Sequence, residues 1–189
     1  SLVPEGTRLL DIGSDHALLP ASLLKEGGIK AAVVSDINRG PLSRGKATVA
    51  RLCPKAAVTF VLSDGFDAVE KGSYDFFTIC GMGGELIARI LDRGGQKARC
   101  CAMALQPMSK PNKLRAYLWE NGFHIEDERY VLEGRLPYVV LLASHSGQRE
   151  EFSCADAYLG KRRPDTAAFR AYAAKQADSA RKRRDGARI

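Results

Sequence analysis

The sequence lacks the features that would assign it to a membrane or secreted class. No uninterrupted apolar run approaches the roughly 18 residues that a membrane-spanning helix needs. The opening stretch, SLVPEGTRLL, has neither the basic start nor the long apolar segment of a secretory signal peptide. We therefore expect a cytoplasmic protein that has no membrane partner.

Cysteine and histidine are too few and too scattered for a metal site or a disulfide framework. The five cysteines are odd in number, two are adjacent, and no Cys-x-x-Cys pair occurs. The histidines, His16, His124 and His145, are far apart in the chain. We expect no bound metal, and this cysteine usage is typical of a reducing compartment.

Acidic residues are scarce at the end of the chain, where the whole net charge of +7 arises. Residues 1–160 contain 19 Lys or Arg and 19 Asp or Glu, whereas residues 161–189 contain 10 and 3. A neutral body with a basic tail suits a polyanionic partner, although a solvated basic helix has the same composition. The candidate RNA-binding residues of this tail are Arg162, Arg163, Arg181, Lys182, Arg183 and Arg184.

Strand-like and helix-like segments alternate through the body of the chain. Strands are predicted over residues 8–13, 30–37, 57–65, 74–84 and 100–107, and helices over 18–27, 41–53, 85–98 and 110–122. Apolar strands separated by helices indicate a parallel sheet that is covered on both faces. Right-handed crossovers then favour a Rossmann-like, doubly wound α/β sheet.

The remaining residues predict an antiparallel closing hairpin and a helical extension. Residues 123–145 have the pattern of two strands around a turn at Gly134. Helices are predicted near residues 153–160 and over 164–185, the second with Asp165 or Thr166 as its N-cap. We expect residues 1–153 to form one Rossmann-like domain and residues 154–189 a short basic extension.

Polar or glycine-rich residues follow each of the five predicted parallel strands. In an open parallel sheet, ligands bind at the carboxyl ends of the strands. The candidate ligand-binding residues at these ends are Asp11, Gly13, Ser14, Asp15 and His16; Asp36, Ile37 and Asn38; Asp64 and Gly65; Gly81, Met82 and Gly83; and Gln106 and Pro107.

The first of these loops, DIGSDH, distinguishes between two classes of cofactor. A dinucleotide needs a G-x-G-x-x-G loop whose backbone approaches its pyrophosphate. Here Asp15 stands where the phosphates would approach, and Asp11 adds a second negative charge. The loop therefore disfavours a dinucleotide oxidoreductase. S-adenosylmethionine has no phosphate and carries a sulfonium and an ammonium group, which acidic residues accommodate.

Two further carboxylates suit the nucleoside part of such a cofactor. Asp36 is placed to bind ribose hydroxyls, and Asp64 with the Gly65 backbone is placed to bind the adenine. Each candidate also has a purely structural interpretation. Asp11 suits a loop acceptor, the sequences around Asp36 and Asp64 suit turns, and the glycines at 81–84 suit a tight strand-to-helix turn. Cys80 suits a buried core position better than a nucleophile.

Five segments in this order and spacing, DIGSDHALLP, SDINRGPL, SDG, ICGMGGELI and LQPM, resemble the bacterial tRNA (adenine-22-N1)-methyltransferase family. The resemblance covers roughly residues 2–160 and implies a class I, S-adenosylmethionine-dependent enzyme, with S-adenosylhomocysteine as product and tRNA as partner. It implies that the first loop binds cofactor, Asp36–Asn38 bind ribose, Asp64 and Gly65 contact adenine, and residues 81–84 face the transferable methyl group. Gln106 and Pro107 match the start of a Gln-Pro-Asn segment of the family. Two positions depart from the family pattern: Met108 replaces an asparagine, and Leu18 replaces an aromatic residue.

The expected chemistry requires little from the protein beyond positioning and electrostatics. The N1 lone pair of adenine is already nucleophilic, so the enzyme must orient it, exclude water and stabilise the developing positive charge. Asp15 is the predicted catalytic acceptor for the exocyclic amine, with His16 as its partner and Met82 and Gly83 beside the base. Methylation of another nucleic acid or of a small molecule, and RNA binding without catalysis, remain alternatives. The sequence does not specify the oligomeric state and slightly favours a monomer.

Overall fold

The structure is a computed structural model that describes residues 2–186, with side-chain surroundings described up to residue 182. Seven strands form one sheet in the order β3-β2-β1-β4-β5-β7-β6. The strands are β1 (Thr7–Ile12), β2 (Ile29–Asp36), β3 (Ala57–Leu62), β4 (Phe76–Gly83), β5 (Ala102–Ser109), β6 (Phe123–Glu133) and β7 (Leu136–His145). All neighbouring strands are parallel except that β7 is antiparallel to both β5 and β6. The predicted Rossmann-like α/β sheet with a closing hairpin is confirmed.

The helices are α1 (Leu18–Lys25), α2 (Arg39–Leu52), α3 (Gly84–Gly94), α4 (Gln96–Arg99), α5 (Pro111–Glu120), α6 (Cys154–Leu159) and α7 (Ala167–Gly186). Most boundaries differ from the prediction by a few residues, and three of the differences involve a proline or a glycine. The second helix begins at Arg39, ahead of Pro41. The helix predicted over 85–98 is split at Gly95, whose φ of +51° interrupts α-helical geometry. The last helix, predicted to end at residue 185, still includes Gly186.

The central strands are buried on both faces because helices cover each side of the sheet. Leu10 and Phe77 belong to one buried cluster, whereas Leu9 and Phe76 belong to another. Successive residues of a strand point to opposite faces, so this division places one cluster on each side. The apolar runs that predicted parallel strands are thus explained by two-sided burial.

The carboxyl ends of β1 and β4 flank the point where the chain reverses its direction of winding. The chain passes from β1 to β2 and β3 on one side, and later returns to β4 on the other side. In doubly wound sheets a crevice opens at this point and holds the ligand. The sheet order therefore places the predicted loops of β1 and β4 at the expected ligand crevice.

The helical extension packs on the closing hairpin through a buried arginine. Arg115 of α5 is fully buried, and its Nε and Nη2 donate to the Glu128 carboxylate at 2.9 and 3.1 Å. Its Nη1 donates to the carbonyls of Ala157 and Tyr158, both at 3.1 Å, and to the Tyr172 hydroxyl at 3.0 Å. This Arg115 network joins α5, β6, α6 and α7. The predicted division of the chain after residue 153 remains a prediction.

At the start of α7, the Thr166 hydroxyl accepts a hydrogen bond from the Phe169 N–H at 3.2 Å. Thr166 is therefore the N-cap, one of the two residues that were predicted. Asp165 instead pairs with Arg170. None of the helices within residues 2–186 is both long enough and apolar enough to cross a membrane.

Candidate functional site

Two adjoining cavities open at the carboxyl edge of the sheet. The Asp36 cavity, of about 310 Å³, is lined by Ile12, Gly13, Asp36, Ile37, Asn38, Ser63, Asp64, Gly65, Met82, Leu86 and Ile90. The Asp15 cavity, of about 450 Å³, is lined by Asp11, Gly13, Ser14, Asp15, His16, Ala17, Leu18, Leu19, Cys80, Gly81, Met82 and Gln106. Gly13 and Met82 line both cavities, which therefore form one cleft with two compartments.

Most of the predicted cofactor residues lie in this cleft. The exceptions are Gly83 and Pro107, which line neither compartment. Gly83 is the N-cap of α3, and Pro107 is buried in β5 beneath a separate cavity. Neither residue therefore faces the cleft directly, as the other predicted cofactor residues do.

Gly13 and Met82 meet at the centre of the cleft. Gly13 has a φ of +74°, and its N–H donates to the Ser35 carbonyl at 2.8 Å, which fixes the loop against β2. A Cβ built on Gly13 would overlap the terminal methyl of Met82. The first loop therefore favours glycine for its backbone conformation, and any side chain at this position would also displace the flexible end of Met82.

Asp11 places a buried carboxylate beside the Asp15 cavity. Its side chain accepts a hydrogen bond from the Thr78 hydroxyl at 2.6 Å, and it makes no ion pair within the described part of the chain. Burial raises its pKa, while hydrogen bonds from Ser14 and Thr78 act in the opposite direction. A cation in the adjoining cavity would stabilise the ionised form of this carboxylate.

Asp15 is exposed, and each of its two carboxylate oxygens has a partner. Oδ1 pairs with the guanidinium of Arg44, and Oδ2 lies 3.2 Å from His16 Nε2. The hydrogen bond from Arg44 is the main cause that lowers the pKa of the Asp15 carboxyl. The predicted pairing of Asp15 with His16 is present, and Arg44 is an additional partner that was not predicted. No sequence signal distinguishes Arg44 from any other basic residue of a solvent-facing helix.

Asp36 has both of the roles that its sequence context allowed, a turn residue and a candidate ligand-binding residue. Its Oδ1 accepts a hydrogen bond from the Asn38 N–H at 2.8 Å, which shapes the turn after β2. Its Oδ2 makes no hydrogen bond with any described residue. One oxygen therefore stabilises the turn and the other remains free for a ligand. Ile37 is 61% exposed and, with Leu86, gives this compartment apolar walls.

Asp64 is fixed by a second unpredicted arginine. Arg93 Nη1 donates to Asp64 Oδ2 at 2.6 Å, and Nη2 donates to Asp67 at 2.8 Å. Asp64 Oδ1 has no partner among the residues that the structure describes. Asp64 and Gly65 both line the Asp36 cavity, so this free oxygen can meet a ligand there. Arg93 lies on α3, 29 residues after Asp64 in the chain.

A bulge in β4 shapes the floor of the Asp15 cavity. Gly81 has a φ of +78°, the register of β4 against β5 shifts on either side of Met82, and the Gly81 N–H donates to Gln106 Oε1 at 2.9 Å. Gln106 Nε2 lies 3.5 Å from the sulfur of Met108, the residue that departs from the family pattern. Burial raises the pKa of Cys80 to about 12, which agrees with a core residue rather than a nucleophile.

The tail cations that were predicted to bind RNA are largely paired with carboxylates. Arg162 pairs with Asp127 at 3.2 Å, Arg163 with Asp156 at 2.6 Å, and Arg181 lies 3.6 Å from Asp178. Lys182 is exposed. Arg183 and Arg184 were also predicted to bind RNA, and their side chains lie outside the part of the chain whose side chains are described.

Arg162 also lies far from the cleft, near the opposite edge of the sheet. It lines a cavity with Trp119 and His124, and His124 is at the amino end of β6. Because β5 and β6 are both antiparallel to β7, the amino end of β6 lies at the edge opposite the cleft. Within the described residues, no group of three or more His, Cys, Asp or Glu side chains could hold a metal ion.

A family model described as a methyltransferase domain matches residues 1–141 of the chain. The tRNA (adenine(22)-N(1))-methyltransferase of Bacillus subtilis (strain 168) is 33% identical over 149 residues, which is 78% of this chain and 62% of the relative. Streptococcus pneumoniae Sp1610, described as a candidate tRNA (m1A22) methyltransferase and solved with S-adenosyl-L-methionine, is 32% identical with a TM-score of 0.85. That alignment covers 94% of this chain and 84% of the other. The chain belongs to the tRNA (adenine-22-N1)-methyltransferase family.

A further solved family member has the same fold. The structure of the B. subtilis m1A22 tRNA methyltransferase TrmK is 26% identical, with a TM-score of 0.76 over 94% of this chain and 90% of that one. The class I methyltransferase sheet that the resemblance implied is therefore confirmed. The chain spans less than two thirds of the length of the curated relatives that it matches, 62% for the B. subtilis enzyme and 65% for a Mycoplasma pneumoniae protein.

Proposed function

We propose that this family member transfers the methyl group of S-adenosylmethionine to N1 of an adenine in tRNA, at position 22 in the D-arm region. S-adenosylhomocysteine is then the second product. The observation that carries the proposal is the two-compartment cleft at the winding reversal. Its acidic residues suit a cationic cofactor without phosphate, and the B. subtilis and S. pneumoniae relatives have this activity in their descriptions.

The side chains of the Asp36 cavity fit the adenosine part of the cofactor. The free Oδ2 of Asp36 can accept from ribose hydroxyls, and the free Oδ1 of Asp64 can accept from the exocyclic amine of adenine. The flat ring would lie between the apolar walls formed by Ile37 and Leu86. When bound, S-adenosylmethionine supplies a methyl group on a positively charged sulfur.

The Asp15 cavity fits the charged end of the cofactor and the target base. Buried Asp11 favours a cation beside Gly13 and Met82, where the two compartments meet. Asp15 can accept from the exocyclic amine of the target adenine and stabilise its developing positive charge. Each Asp15 oxygen has one partner and a further lone pair, so the carboxylate can accept from the base while Arg44 and His16 stay in place. Met82 would border the methyl group, whereas Gly83 would act only through the backbone of the turn.

The target base must leave its stack to enter the Asp15 cavity. Extrusion of a base costs on the order of a few kcal/mol, which contacts between the protein and the RNA backbone can offset. We infer a cytoplasmic location for the protein, since tRNA is its proposed partner. A monomer is the simplest state that presents this cleft to RNA.

The direct test is transfer of labelled methyl groups from S-adenosylmethionine to bulk bacterial tRNA, followed by nucleoside mapping. Label on N1 of adenine is expected with the wild-type protein. Asp36→Ala should weaken S-adenosylhomocysteine binding in calorimetry, and Asp15→Ala should lower the transfer rate more than the cofactor affinity. Asp165→Asn, an exposed change on the extension, is the matched control.

Three results would contradict the proposal in different ways. Label on another nucleoside would show that the target nucleotide differs from the proposed adenine. Label on small molecules alone would exclude RNA as the acceptor. Binding of both S-adenosylhomocysteine and tRNA without transfer would favour an RNA-binding protein on a methyltransferase scaffold.

A further inference from the structure

A third cavity, of about 290 Å³, lies beside the Asp15 cavity at the same edge of the sheet. It begins at Pro107, the residue after Gln106, and continues through Met108 and Lys110. Its other wall comes from the start of β7 and from α7. Since β7 is antiparallel to β5, the first residues of β7 lie at the carboxyl end of β5. We name this cavity the Tyr138 groove after the aromatic residue in that wall.

The Tyr138 groove combines an aromatic ring with a cation that has no carboxylate partner. Lys175 Nζ lies 5.6 Å from the centroid of the Tyr138 ring and 3.4 Å from the Pro137 carbonyl. In the described part of the chain Lys175 forms no ion pair. Tyr138 is half-buried, which holds the ring in place while part of it remains accessible.

Further uncompensated positive charge lies on the helices that flank the cleft. Lys110 pairs with Glu85 at 2.5 Å, and its hydrogen bond is the main cause that lowers the pKa of the Glu85 carboxyl, with smaller contributions from Lys113 and Arg89. Both Lys113 and Arg89 are exposed, and neither side chain makes a hydrogen bond or ion pair with the described residues. Three cations therefore surround one carboxylate on this side of the cleft.

These features match the chemistry that recognises a single-stranded nucleic acid. Such sites place cations along the phosphate backbone and an aromatic face under an unstacked base. An adenine in the Asp15 cavity would bring its neighbouring nucleotides to the residues that follow Gln106. Arg162 and Arg163 of the tail meet these requirements less well, because both are paired and Arg162 lies at the opposite edge.

We propose that the Tyr138 groove binds the RNA strand next to the target adenine, with a base stacked on Tyr138 and phosphates held by Lys175 and the cations of α3 and α5. This inference rests on the proposed function, since it takes the Asp15 cavity as the site of the target base. It assigns substrate binding to the sheet edge and to Lys175 of α7, rather than to the paired arginines Arg162 and Arg163 of the tail.

The test compares tRNA affinity over a range of salt concentrations for Lys175→Ala and Arg162→Ala. Each variant loses one cation, but only Lys175 lies in the groove. Lys175→Ala should weaken binding at low salt and reduce the slope of log K against log salt by about one. Arg162→Ala should leave both quantities close to wild type. Equal effects of the two variants would overturn the assignment.

Tyr138 gives a second measurement that does not depend on charge. Tyr138→Ala should weaken tRNA binding by about fivefold or more, the loss typical of a removed base–aromatic stack, and Tyr138→Phe should restore most of it. Calorimetry with S-adenosylhomocysteine checks that each variant is folded and retains the cofactor site. A Tyr138→Ala protein that binds S-adenosylhomocysteine and tRNA as wild type does would refute stacking.

The outcomes separate this inference from the proposed function. If wild type methylates N1 of adenine and the groove variants bind tRNA normally, the groove assignment fails and the function stands. If wild type forms no such product while the groove variants still lose RNA affinity, the groove is an RNA-binding surface, but the function fails and with it the placement of the groove beside a target adenine.

Discussion

Replacement of Glu128 by glutamine should destabilise the protein strongly, because it leaves the guanidinium charge of Arg115 in the core. The two side chains are 0% and 3% exposed, so water cannot replace the lost carboxylate. Removal of one partner from a buried ion pair typically costs about 3–5 kcal/mol. For a chain of this size, each kcal/mol lowers the melting temperature by about 2–4 °C, so a decrease of roughly 6–20 °C is expected.

A double variant separates the buried charge from the packing. Arg115→Met combined with Glu128→Leu removes both charges and should be more stable than Glu128→Gln alone. It should still be less stable than wild type, because the carbonyls of Ala157 and Tyr158 lose their donor. Asp165→Asn, which breaks an exposed pair, should change stability little.

Thermal and urea unfolding followed by circular dichroism measure these differences. A melting temperature for Glu128→Gln that falls no further than that of Asp165→Asn would refute the buried-charge reasoning. The same network predicts that removal of residues 154–189 destabilises the sheet domain, since it uncovers Arg115 and leaves three of its hydrogen bonds unmade.

Three further predictions concern the cleft. Gly13→Ala should weaken binding of S-adenosylhomocysteine in calorimetry, because a residue with a Cβ is strained at a φ of +74° and the new Cβ displaces the end of the Met82 side chain; unchanged affinity would show that the loop tolerates both. Burial raises the pKa of Cys80 to about 12, so Cys80 should react with iodoacetamide at pH 8 far more slowly than the exposed cysteines. Mass spectrometry of the digest measures the labelling of each cysteine, and faster labelling of Cys80 would contradict this prediction. Arg44→Met should raise the pKa of the Asp15 carboxyl in an NMR titration. Because the wild-type pKa is lowered, any stability from the pair is present above the unfolded pKa of about 3.9 and is lost as pH falls through the folded value; an unchanged titration would contradict the pairing.

The strand ends could be predicted from the sequence because their signals are local. Each parallel strand is an apolar run followed by a polar or glycine-rich turn, and sheet topology alone brings those turns to one edge. Arg44 and Arg93 could not be predicted in this way. Each pairs with a carboxylate 29 residues away, and only the packing of α2 and α3 against the sheet determines which partner it meets.

The predicted ends of two helices were wrong for a related physical reason. Gly95 divides a segment whose apolar spacing is continuous, because its φ of +51° turns the chain before α4. A glycine in a periodic segment signals either tolerance or interruption, and the sequence pattern does not distinguish them. Gly186 is the opposite case, since α7 continues to include it.

The distribution of charge along the chain also differs from its distribution in space. The body sums to zero net charge in the sequence, yet Arg89, Lys110 and Lys113 gather around a single carboxylate beside the cleft. The tail has all of the excess charge, yet Arg162 and Arg163 are paired with carboxylates of β6 and α6. A polyanion responds to the local field rather than to the net charge of a segment, and that field is screened beyond about 10 Å at moderate salt. The uncompensated cations nearest to the target base should therefore govern RNA affinity, and of these only Lys175 belongs to the basic tail.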